Sequence, residues 1–263
     1  MILSPALAEL LLFQPSRGEL GAPPTLHGIR GRSLTLTTAD ELRIQAWWYE
    51  LAGAEPAPAV LFFHGNAGDI SHRTPMVQGL LREGLSVLLL EYRGYGESEG
   101  KPSEAGLYLD AEAGHDFLLD QLQDPSRIVL LGRSLGGAVA AYQAAARAPG
   151  GLILESAFTS LEAMAGVLYP FLPAFLFRRL RGRYATVERV PKVEAPLLVI
   201  HGTSDDLVPL GMGLELLEAA RGHKEWLGVE GAGHNDVYWV GGESYFKRIG
   251  EFVWKQTGGR PQS

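Results

Sequence analysis

Cysteine does not occur among the 263 residues. Disulfides, thiolate metal sites and a cysteine nucleophile are therefore excluded. Positive charge is also scarce, with 23 lysines and arginines against 30 aspartates and glutamates and a formal net charge of −7. A nucleic-acid-binding surface needs the opposite balance or a concentrated basic stripe, so no nucleic-acid partner is expected. Long apolar runs are missing as well. Leu7 to Phe13 is the most apolar stretch near the start, but Pro5 and Glu9 interrupt it and Pro15 ends it. A membrane-spanning helix needs roughly 20 apolar residues. The basic start and small-residue cleavage site of a secretory signal are not seen either. The stretch reads as a short helix docked on the domain, with a weak, shallow membrane-surface contact as the alternative. A soluble, cytoplasmic protein is the expectation. Internal repeats are absent, and low complexity is confined to the closing "GGRPQS". The sequence has no His-Glu-x-x-His pair, no Gly-x-Gly-x-x-Gly turn and no phosphate-binding loop, so neither metal nor cofactor is expected.

What is present points to a single α/β domain spanning residues 1–263, a length that suits one large unit. Hydrophobic residues make up 46%, enough for a substantial core. "SLTLTT" and "LRIQAWWYEL" alternate around "AD", the pattern of an antiparallel hairpin. From there the chain repeats a rhythm: "AVLFFHG", "SVLLLEY", "RIVLLG", "GLILES", "PLLVIHG" and "KEWLGVE" are short apolar runs. Between them lie helical stretches such as "MVQGLLREG" and "LGMGLELLEAARG". Continuous apolar strands alternating with helices predict a mostly parallel, eight-stranded sheet covered on both faces. In such sheets the ligand sits beyond the carboxyl ends of the strands. The residues that follow each strand are the ones to read.

After "RIVLL" comes "GRSLGG", followed by the alanine-rich "AVAAYQAAARA". A strand, a sharp turn and a helix form the context of the G-x-S-x-G nucleophile elbow. Gly132 and Gly136 lack the side chains that would collide with neighbouring strand and helix, and Ser134 is pushed out above the sheet edge. The Leu135 amide lies at a helix N-terminus, where unpaired N–H groups favour a developing oxyanion. After "PLLVI" comes "HGTSDDLVP", and after "KEWLGVE" comes "GAGHND". Serine, aspartate and histidine thus each follow a strand of their own, in the order Ser134, Asp205 or Asp206, His234. After "AVLFF" comes "HGNAGD", whose Asn66 amide is placed to be the second oxyanion donor.

Together, "FFHGNAGDISHR", "EYRGYGESEG", "GRSLGG", "LESAFTSL", "HGTSDDLVP" and "GAGHND" resemble the α/β-hydrolase-fold serine hydrolases, from about residue 10 to residue 255. The resemblance is to the lid-bearing branch with "HGNAG" after the third strand. It implies an esterase- or thioesterase-like enzyme acting on a small-molecule ester, thioester or lipid-like substrate. Its pattern "HGxxDxxVP" selects Asp205, with Val208 and Pro209 in register; Asp206 is then free to cap the following helix. Ser134 would be the nucleophile, His234 the general base and acid, and Asp205 the group that orients the imidazole. His64 and His201, both in "HG" pairs, are expected to bond backbone and shape their loops. His27, His72, His115 and His223 read as surface or loop residues, and Tyr92 and Arg93 as braces.

One long excursion, residues 157–192, interrupts the rhythm. It carries an apolar stretch from Val167 to Phe177 followed by Arg178, Arg179, Arg181 and Arg183. Long insertions at the active face are usually lids. Tyr169, Phe171 and Phe175 are the side chains expected to line an acyl pocket, which is normally apolar. An amidase or peptidase on the same three residues is the enzyme alternative. A non-catalytic binding protein on a retained hydrolase fold is the alternative from another class.

Overall fold

The computed structural model describes residues 12–53 and 56–259. The expected N-terminal helix lies outside the described residues except for Leu12 and Phe13. Phe13 is buried, edge-on to Tyr95 and Tyr184. The closing residues 260–263 also lie outside the described residues. Among the described residues no helix is long and apolar enough to cross a membrane.

Eight strands make the central sheet: β1 (Arg32–Thr37), β2 (Arg43–Tyr49), β3 (Ala59–Phe63), β4 (Ser86–Leu90), β5 (Ile128–Arg133), β6 (Gly151–Glu155), β7 (Leu197–Gly202) and β8 (Lys224–Val229). Their spatial order is β8-β7-β6-β5-β3-β4-β2-β1. β2 pairs antiparallel with both β1 and β4, and every other pairing in this sheet is parallel. The sheet is therefore mixed, with the reversed strand supplied by the expected hairpin.

Burial explains the strand sequences. All five residues of "AVLFF" in β3 are buried. Side chains alternate across a strand, so Leu61 and Phe63 enter one core and Val60 and Phe62 the other. Helices α2 (Glu104–Leu122), α3 (Leu135–Arg147) and α5 (Leu210–Ala219) supply Leu107, Ala138 and Leu216 to the first core. Helices α1 (Thr74–Arg82) and α6 (Val237–Gln256) supply Leu80, Ile249 and Phe252 to the second. His115 is corrected from surface to core: its position on α2 places it against the sheet at 1% exposure.

The crossover from β4 back past β3 to β5 leaves the carboxyl ends of β3 and β5 side by side, with Phe63 opposite Gly132. This is the topological switch point where open α/β sheets hold their ligands. The approach of α3 to that point is very close. A Cβ on Gly136 would lie 2.1 Å from the Phe63 carbonyl oxygen, and one on Gly132 would lie 2.2 Å from the Gly136 carbonyl oxygen.

The excursion folds as α4 (Leu161–Leu168), a 3-10 segment (Ala174–Leu180) and a short helical turn (Thr186–Arg189). Glu104 of α2 ties it down by bonding the Tyr184 amide and Arg183.

Gly136→Ala is expected to lose about 3 kcal/mol of stability or to fail to fold, because neither clashing partner is a movable side chain. Gly211→Ala, on the exposed side of α5 with open space around it, should be neutral or gain about 0.5–1 kcal/mol. Urea unfolding of both variants checks the contrast.

Candidate active site

Ser134 connects β5 to α3 with φ 53° and ψ −117°. Its amide donates to the Glu155 carbonyl at 2.9 Å, and its carbonyl accepts the Gly137 amide at 2.9 Å. The peptide is fixed on both sides, and Oγ is left to project.

His234 lies in the loop between β8 and α6. Its Nε2 is 3.1 Å from Ser134 Oγ, and its Nδ1 is 2.9 Å from Asp205 Oδ2. An ionised carboxylate only accepts, so Nδ1–H donates to Asp205 and Nε2 is free to accept the serine proton. Asp205 Oδ1 accepts the amides of Leu207 at 3.0 Å and Val208 at 2.8 Å. Burial acts to raise the Asp205 carboxyl, but the bonds from His234 and Val208 outweigh it and hold the group below the usual carboxylate range. Asp205 is buried and Asp206 exposed. Asp206 does not cap the next helix either: Pro209 occupies that position, with no side-chain cap bond.

The loop after β3 passes against the elbow, and a Cβ on Gly65 would meet Ser134 Cβ at 3.7 Å. Asn66 and Leu135 both line the cavity beside Ser134, with Leu135 opening α3. The loop is held from below. His64 Nδ1 donates to the Gly65 carbonyl at 2.7 Å, and its Nε2 lies 2.9 Å from Glu91 Oε1. Tyr92 and Tyr95 hydroxyls donate to the carbonyls of His64 and Asn66. The Asn66 side-chain amide donates to the Leu12 carbonyl. His201 likewise serves backbone, donating from Nε2 to the Val208 carbonyl at 2.9 Å. Arg93 acts further out, bonding Asp110 and Asp40.

Arg133 is a functional residue that motif reading passes over, since it fills the first variable position of the elbow motif. It reaches across to donate to the His234 carbonyl at 2.9 Å and to Asn235 Oδ1 at 3.2 Å. Its Nε faces the fully buried Glu155 at 3.1 Å, and Glu155 also accepts the Tyr245 hydroxyl. The loop that carries His234 is thereby fastened to the strand that carries Ser134.

These groups open onto a cavity of about 530 Å³. Leu161, Met164, Leu168 and Tyr169 of the excursion line it, together with the apolar Phe158, Leu180, Leu207 and Val208. Tyr169 lines the cavity, but Phe171 and Phe175 do not. They are 95% and 55% exposed. α4 ends at Leu168, Pro170 cannot continue it, and a turn from Tyr169 to Leu172 sends the chain outward. Among the described residues no group of three or more His, Asp or Glu side chains is placed to hold a metal ion.

A parallel-dominated sheet with a serine on a strand-to-helix elbow defines the α/β-hydrolase class of fold. A family model described as the alpha/beta hydrolase fold matches residues 58–166. The chain is 37% identical over 238 residues to the alpha/beta hydrolase domain-containing protein WAV2 of Arabidopsis thaliana, spanning 84% of this chain and 77% of that one. It is 41% identical over 244 residues to an uncharacterized protein of Mycobacterium tuberculosis, spanning 92% and 86%. Among solved structures it superposes on the esterase Pf2001 of Pyrococcus furiosus with a TM-score of 0.76. That match covers 93% of this chain and 100% of the other at 23% identity, a likeness of fold. The chain belongs to the α/β-hydrolase family.

Asp205→Asn is expected to lower turnover of an activated ester by about 10³–10⁴-fold, because the amide favours the wrong imidazole tautomer. Asp206→Asn should change it less than about threefold. Steady-state kinetics of the two variants decide which carboxylate serves His234.

Proposed function

We propose that the protein is a serine hydrolase that cleaves carboxylic esters or thioesters through an acyl-enzyme. The observation that carries this reading is the continuous hydrogen-bonded line from Ser134 Oγ through both His234 nitrogens to Asp205. Ser134 Oγ attacks the acyl carbonyl carbon as its proton passes to His234 Nε2. The tetrahedral oxyanion takes bonds from the amides of Asn66 and Leu135, each typically worth about 3 kcal/mol in the transition state. The bond from carbon to the leaving oxygen or sulfur then breaks, and His234 returns the proton to that atom. Water, deprotonated by His234, attacks the acyl-serine and releases the acid. The cycle balances with substrate and water alone. Asp205 stays ionised throughout and steadies the imidazolium each time it forms.

Family membership and the preformed geometry both support hydrolysis. The apolar lining supports an acyl chain as the group bound at α4, because apolar burial is worth roughly 0.8 kcal/mol per methylene.

A fluorophosphonate probe should label Ser134 in the wild type, and Ser134→Ala should lose both labelling and ester turnover. Persistent labelling of the alanine variant would refute the assignment. For the acyl side, Leu168→Ser should lower the ratio of kcat/KM for octanoate over acetate esters several-fold, whereas Phe171→Ser, outside the cavity, should leave that ratio where it is. An unchanged ratio in a folded Leu168→Ser variant would mean that α4 only covers the core.

A further inference from the structure

The cavity is chemically lopsided. At α4 its wall is apolar, while Gln14, Asn66, Arg73 and Asn235 make another part of it polar, with a charge there that its neighbours do not cancel. That charge belongs to Arg73, which lines the cavity and closes the 3-10 turn Ile70–Arg73. One terminal nitrogen donates to the Ala67 carbonyl, and Nε is buried without a hydrogen-bond partner. The acids around it are committed elsewhere. Asp69 accepts the Ser71 amide and hydroxyl, Glu91 takes His64 and the Ile70 amide, and Glu155 takes Arg133 and Tyr245.

Position matters as much as charge. Arg133 lies beneath the His234–Asn235 turn, and burial together with the nearby Arg133 charge holds the Arg73 guanidinium below the usual arginine range. Arg73 and Arg133 both line the cavity together with His234 and Asn235, and a Cβ on Gly68 of the loop after β3 would lie 3.4 Å from a terminal nitrogen of Arg73. An arginine withdrawn from water with spare donors is completed by an oxyanion, which a guanidinium binds with two parallel bonds. An acyl chain has no use for it, and the apolar wall already accommodates that chain.

Resting on the serine-hydrolase reading, we infer that Arg73 forms an anion subsite for the leaving group. The preferred substrates are esters or thioesters whose departing alcohol or thiol bears a phosphate or carboxylate. The acyl chain lies under α4, the scissile carbonyl over Ser134, and the anion against Arg73.

Two matched substrate pairs with a common octanoyl group test this. The first is 3-carboxyphenyl octanoate against 3-carbamoylphenyl octanoate; the second is octanoyl glycerol phosphate against monooctanoylglycerol. In the wild type the anionic member of at least one pair should show a kcat/KM about tenfold or more above its neutral partner, the size of one charge-assisted hydrogen bond. The pair with the larger preference tells carboxylate from phosphate. Arg73→Gln should collapse the ratio towards one, and Arg73→Lys should keep part of it. Ratios near one for both pairs in the wild type overturn the subsite. So does an unchanged ratio in Arg73→Gln, which would leave Arg73 as a support for the Ala67 carbonyl. A measurement on the wild type alone guards against a misfolded variant: octyl phosphate should protect Ser134 from the fluorophosphonate better than octanol, and equal protection overturns the inference. Turnover of neutral esters without anion preference removes the subsite and leaves the hydrolase reading intact. An unlabelled Ser134 with no turnover of any ester removes both.

Discussion

Ser134 holds a positive φ that residues with a side chain avoid. Such a backbone costs on the order of 1–3 kcal/mol and persists only where its surroundings determine it. Here they do so by contact. Gly132, Gly136 and Gly137 let β5, α3 and the Ala157 segment approach until no side-chain atom fits between them. The alanines of α3 extend that approach along the helix, with Ala138, Ala140 and Ala141 fully buried. The strain is held by this packing, and Oγ is left to project. The same geometry starts α3 at Leu135 and so turns a helix N-terminus toward the serine.

Around that elbow, buried acids are arranged in separate pairs, each of which holds a different loop. Asp205 holds the imidazole of His234, Glu155 holds Arg133 and through it the His234 backbone, and Glu91 holds His64 and through it the loop after β3. A buried carboxylate without a partner is costly. These acids are therefore constraints on their partners: moving any loop would strand a charge. This division lets the side chain and the main chain of His234 be fixed independently, one from β7 and one from β5.

The strand ends were legible in the sequence because parallel strands buried on both faces must be apolar throughout. The polar residues that break each run, in "HGNAG", "GRSLGG", "HGTSDD" and "GAGHND", are then confined to one edge of the sheet. The same logic points to His234 and to the Asp205–Asp206 pair, between which the resemblance, and not the strand pattern, chose. What stayed hidden depended on direction. Phe171 and Phe175 are as apolar as Leu161 and Met164, but Pro170 and Pro173 turn them to solvent, and hydrophobicity carries no sign for inward or outward. His115 fits a surface reading by its type, yet its place on α2 buries it. Arg133 looked like a spacer because its partners, the His234 carbonyl and Glu155, lie far along the chain.

The division between scaffold and insertion has a physical consequence for specificity. Ser134, Asp205 and His234 all follow strands of one sheet, so their separations are set by strand spacing and by the packing of the two cores. The apolar wall at α4 comes from the excursion, which sets Leu161, Met164 and Ala165 into the first core and is tied to α2 where Glu104 bonds Arg183 and the Tyr184 amide. Another part of the wall is polar and belongs to the scaffold, through Asn66, Arg73 and Asn235. Substitutions on the cavity face of α4 can reshape the apolar wall without moving Ser134, Asp205 or His234. Changes on the polar wall act on loops that also position Asn66 and His234, so that side is far less free to vary. Whatever occupies the polar wall is bound by groups tied to the loops that carry Asn66 and His234.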